Sequence, residues 1–158
     1  MTSIDGRILG DLTSEDERRL AVDLFNHTWE LLEMPGRTPE QDDRMIHAAH
    51  ASRFHWEQVG EPTNLVAGEW QCSRVYAVLG HAEPAVYHAR RAVALCDQAG
   101  ITGFFRASAN EGLARALLVT GDRDGAAAAE AAARTAAAAI DDDEERQIFE
   151  QDMATLPR

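Results

Sequence analysis

An all-α chain is predicted, with about seven helices packed as antiparallel hairpins in a short superhelical stack. Three observations predict it. Glycines punctuate the chain at Gly60, Gly80, Gly100 and Gly121, at almost even spacing. The segments between them carry apolar residues at helical intervals and few strand formers. Helix-start signals follow three of the glycines, as Glu61-Pro62-Thr63, Glu83-Pro84 and Asp122. Proline suits the first helical turn, an acidic group suits the N-terminal dipole, and a glycine past the last turn supplies a left-handed cap. Even spacing of such units is the mark of a helical repeat.

Each element follows in order. Residues 1–12 are expected to form an N-terminal arm lying loosely on the surface. The first helix, about 14–33, opens on Thr13-Ser14-Glu15-Asp16-Glu17, a sequence of capping-box type, and stops at Met34-Pro35-Gly36. Gly36-Arg37-Thr38-Pro39 leads into a second helix, about 40–58, so that 14–58 makes a degenerate first hairpin. Helices at about 62–79 and 83–98 make the second hairpin, and helices at about 103–119 and 123–139 make the third. A capping helix, about 142–155, closes a single domain spanning 1–158. Gly125 to Ala139 is nearly all alanine, which favours helix and lets two helices approach closely.

Composition narrows the function classes. The 158 residues fit one domain, and 45% hydrophobic with 27% charged residues is the balance of an ordinary globular chain. No apolar run is long enough to span a membrane. MTSIDGRILGDLTSEDE has no basic segment followed by an apolar one, as a secretory signal would. Net charge is −12, which repels nucleic acid and anionic membranes alike. All 15 basic residues are arginine, so lysine Schiff-base chemistry is excluded. Cys72 and Cys96 are too few and too far apart for a disulfide framework or zinc knuckle. Both are expected as buried, reduced thiols, which points to the cytoplasm.

The run Tyr76, Leu79-Gly80, Pro84-Ala85, Ala89, Ala92 and Leu95 resembles a tetratricopeptide repeat (TPR). A second match follows one hairpin further on, at Ala114, Leu117, Gly121, Ala126 and Ala133. The family's usual period is about 34 residues, so these helices are longer than its consensus. The family's first-helix tryptophan is out of register here, and Asp97 and Ala138 stand near its closing proline. The resemblance covers 62–139, and 14–60 more loosely. It implies a groove lined by the first helix of each hairpin, which binds an extended peptide or a small ligand. By that match, 62–79 and 103–119 line the groove. Trp70, Arg74 and Ala77 share one face of the former, and Glu111, Arg115 and Leu118 share one face of the latter. Arg74 and Arg115 could then clamp a carboxylate or phosphate, unless each pairs with a neighbouring Glu or Asp on the surface.

A second constellation is rich in histidine. Four of the six histidines, His27, His47, His50 and His55, fall in the first two helices. His47 and His50 lie on one helical face, apart from an apolar stripe of Met45, Ala49, Ser52 and Trp56. His27 falls within a Leu20, Leu24, Leu31 stripe, and Glu69 within a Leu65, Cys72, Tyr76, Leu79 stripe. A glutamate on an apolar stripe requires a partner. If His27, His47, His50 and Glu69 converge, three imidazoles and a carboxylate suit zinc, iron or manganese. The same residues equally suit a buried polar network, with Glu69 paired to Arg53 or Arg74, or a metal-free acid/base site. No HExxH and no duplicated ExxH motif is present. His81 is expected in solvent and His88 as a packing residue at the edge of the Ala85, Ala92, Leu95 stripe.

No nucleophile elbow and no glycine-rich phosphate loop occurs. The leading expectation is therefore a small TPR-like binding module for a peptide, a protein or a small anionic ligand, requiring no cofactor and leaning away from enzymatic activity. The alternative is a metal-binding protein or metal-dependent enzyme using the His/Glu cluster. Self-association of two copies through apolar patches is a third reading.

Overall fold

The computed structural model describes residues 10–158, so most of the predicted 1–12 arm lies outside the described residues. Seven helices and no strand occur among them: α1 Ser14–Glu33, α2 Pro39–Val59, α3 Pro62–Val78, α4 Ala82–Ala99, α5 Phe104–Thr120, α6 Arg123–Ala137 and α7 Asp143–Ala154. The predicted boundaries hold closely because local chemistry sets them. Thr13 and Asp16 form a reciprocal capping box at α1, and Thr38 and Gln41 form another at α2 behind Pro39. Arg37 donates to the carbonyls of Leu31, Leu32 and Met34, closing the exposed end of α1.

The turn glycines divide into two kinds. Gly80, Gly100 and Gly121 take positive φ as the left-handed cap requires. Gly60 does not; its φ is −80°. Its need is space, since a Cβ there would lie 2.6 Å from the Trp56 carbonyl oxygen.

The closest packing is within α1/α2, α3/α4 and α5/α6, the three predicted hairpins. The odd helices also meet across hairpins, α1 with α3 and α3 with α5, which builds a layered stack. Small residues make this possible. Ala126, Ala129, Ala133 and Ala137 form the buried stripe of α6. They pack against Ala107, Ala114 and Leu117 of α5 and are closed off by Phe149 and Met153 of α7. A second cluster joins Leu31, Met45, Ala49, Cys72 and Val75 across α1, α2 and α3. Polar side chains stitch the layers at short range: Ser52 Oγ donates to the Ala21 carbonyl and Ser73 Oγ to the Ala85 carbonyl. No helix among the described residues is long and apolar enough to cross a membrane.

One predicted stripe is displaced. On α1 the buried positions are Glu17, Ala21, Thr28 and Leu31, offset from the expected Leu20, Leu24, His27, Leu31 row. His27 consequently turns toward solvent and pairs with Glu30 of its own helix. Glu17 is buried by pairing with His55 of α2.

Candidate functional site

Two buried glutamates on two successive odd helices organise the polar interior. Glu111 of α5 belongs to the predicted groove. Its Oε1 accepts from Arg115 Nη2 at 2.7 Å and Arg74 Nη2 at 3.4 Å, and its Oε2 accepts from Trp70 Nε1 at 3.1 Å. Trp70, Arg74 and Arg115 thus all converge on the Glu111 carboxylate. Gly112 permits it, because a Cβ there would stand 2.8 Å from Trp70 Cδ1.

The expected anion clamp is nevertheless closed from within. Arg74 also donates to Asp152 Oδ1 at 2.9 Å. Arg115 donates to the carbonyls of Asp152 and Thr155 at 2.9 and 3.0 Å. The C-terminal end of α7 therefore supplies the anionic charge and the dipole that the two guanidiniums would otherwise seek. Burial pushes the Asp152 carboxyl up against the pull of Arg74, and burial lowers Arg115 against the pull of Glu111. Arg74 and Arg115 pair with the chain's own acidic groups, and do so in the interior, not on the surface where such pairing was expected.

Beside this network an open cavity of about 430 Å³ lies between α1, α3, α5 and α7. Its walls are aromatic and aliphatic, including Phe25, Trp29, Trp70, Phe104, Phe105 and Ile148. Trp29 and Trp70 stand 5.5 Å apart, centroid to centroid. The Arg74 guanidinium lies 5.8 and 5.3 Å from the two ring centroids, which holds both indoles in place. Ser108 also lines the cavity, and its buried Oγ has no hydrogen-bond partner among the described residues. Carboxylates of Glu33 and Asp152 complete the lining.

The second glutamate, Glu69 of α3, lies between α2 and α4. Its Oε1 accepts from Arg53 Nε at 3.0 Å and Arg91 Nε at 3.1 Å, and its Oε2 accepts from His88 Nδ1 at 2.7 Å. Gly68 lets Arg53 cross α3, since a Cβ there would lie 2.7 Å from Arg53 Cδ. Burial pushes the Glu69 carboxyl up, but the His88 hydrogen bond together with Arg53 and Arg91 outweighs it, leaving the group below its ordinary value. His50 Nε2 and Tyr76 Oη are 2.8 Å apart. The His88 ring stacks on Tyr76 at 5.8 Å and meets His50 edge-on at 5.1 Å. Burial, then His88, hold His50 below its ordinary value. Burial pushes the Cys72 thiol up to about 12, so the cysteine at the rear of this cluster is no nucleophile.

The four proposed metal ligands do not form a metal site. His47 is exposed on α2, His27 is on the displaced face of α1, His50 is bonded to Tyr76, and Glu69 is surrounded by cations. Among the described residues no three His, Cys, Asp or Glu side chains are placed to hold a metal ion. The polar network foreseen for Glu69 and Arg53 is present. His81 is exposed, as expected, although its ring stacks on Tyr76.

His88 is the residue whose role the sequence reading missed. The α3/α4 register that brings it to Glu69 shows only in the structure, where Ser73 Oγ meets the Ala85 carbonyl and Glu69 lies one turn further out, opposite the His88–Ala89 step. Comparison with family models, curated proteins and solved structures gives no match.

Proposed function

We propose that the chain is a small TPR-like binding module, and that the aromatic cavity between α1, α3, α5 and α7 takes an apolar side chain of a peptide or protein partner. The observation that carries this reading is the open cavity walled by Phe25, Trp29, Trp70, Phe104, Phe105 and Ile148, a surface that only an apolar group would cover with gain. An apolar wall with a few placed polar groups is the usual composition of a binding pocket. Glu33, with a net charge of −12, favours a segment whose apolar anchor is flanked by basic residues. Helical hairpins and the glycine period support the TPR-like reading.

The test is a peptide array that varies one apolar anchor and its flanking charges, followed by titration of tryptophan emission. Peptides with an aromatic or leucine anchor beside arginine or lysine should bind and change the emission of the Trp29–Trp70 pair. Ala67→Leu, at a half-buried position on the cavity wall, should weaken that binding by at least about tenfold without lowering the melting temperature. Equal binding by the Ala67→Leu variant would place the ligand elsewhere.

A further inference from the structure

The Glu69 cluster borders a second cavity, of about 460 Å³, open to solvent and separate from the aromatic one. Its charged and titratable lining is His50, Arg53, Glu57, Glu69, Tyr87, His88 and Arg91, with the Arg91 guanidinium 5.6 Å from the Tyr87 ring centroid. Both guanidiniums donate through Nε to the same oxygen of Glu69, Arg53 from α2 and Arg91 from α4. Arg53 also uses Nη1, on Glu57 at 3.3 Å. No carboxylate other than Glu69 pairs with Arg91 among the described residues, and the Arg91 side chain is 46% exposed.

The Glu69 carboxylate can only accept, so His88 Nδ1 donates to it. The cavity wall presents two fork-shaped cationic donors, Arg53 and Arg91.

We infer that this cavity is a binding site for a compact phosphate-type oxyanion, with Arg91 and Arg53 donating to its charged oxygens. Guanidinium forks suit phosphate because they donate two parallel hydrogen bonds. The aromatic cavity and its peptide play no part in this inference.

The test is titration of the full chain with inorganic phosphate, followed by the ring resonances of His50 and His88. The reference is sodium chloride at matched ionic strength. Saturable shifts with phosphate but not with chloride are expected. Arg91→Gln should weaken the affinity by about tenfold or more, the value of one charge-assisted hydrogen bond. That variant retains Arg53 and His88 on Glu69, and its melting temperature checks its fold. Identical shifts with both salts, or unchanged phosphate affinity in a folded Arg91→Gln chain, would overturn the inference.

Discussion

Glu69 and Glu111 are two versions of one device. Each sits buried on the first helix of a hairpin, and each is held by two arginines. Their surroundings differ. Glu111 is sealed under the end of α7, and its third partner is an indole N–H. Glu69 faces an open cavity, and its third partner is a histidine. The same ionic core is structural where a helix closes it and chemically addressable where solvent and a titratable ring reach it. A buried ion pair is weak evidence for stability in itself, yet breaking one leaves an uncompensated charge.

The largest effect that tests this contrast is expected at the sealed centre. Glu111→Gln leaves Arg115 buried without a carboxylate partner and should cost about 3–5 kcal/mol in urea unfolding. Glu69→Gln removes an equivalent charge, but Arg91 is nearly half exposed and water can reach the cavity. That substitution should cost about 1–3 kcal/mol, the range for hydrogen bonds to charged groups. Equal losses for the two variants would erase the distinction between a closed and an open site.

The smallest effect concerns pH. His50 is held below its ordinary value of 6.5 in the folded chain. As pH falls from 6.5 toward that lowered value, the unfolded chain takes up the proton first, so stability falls. His50→Gln should flatten the stability slope between about pH 5 and 7 relative to the unaltered chain. A slope unchanged by the substitution would show that His50 has the same affinity for protons folded and unfolded. Glu69 acts at lower pH: its carboxyl is depressed, so its contribution is present above the ordinary carboxylate range and is lost as pH falls through its folded value.

Helix positions were legible because they depend on neighbours within a few residues. Thr13, Pro62 and the glycines each act within one turn and fall at the expected helix ends, while Pro39, expected in the loop, opens α2 behind the Thr38 cap. The grouping of Trp70, Arg74, Glu111 and Arg115 was legible too, since the repeat from one hairpin to the next aligns equivalent faces of α3 and α5. The histidines were not. A shift of the α1 stripe toward Ala21 and Thr28 is a rotation of one residue, about 100°, and it carries His27 out of the interior. In the sequence His88 looks like a packing residue because its small neighbours, Ala85 and Ala92, dominate the periodicity of α4.

By itself the sequence determined the number, ends and pairing of the helices, the acidic balance of the chain, and the need of Glu69 for a partner. Tertiary structure alone decided which partners the buried charges took. Short-range capping energies act along the chain and leave a local pattern. The closure of Arg74 and Arg115 on α7, and the meeting of Glu69 with His88, depend on how helices rotate and cross, and local periodicity does not encode that.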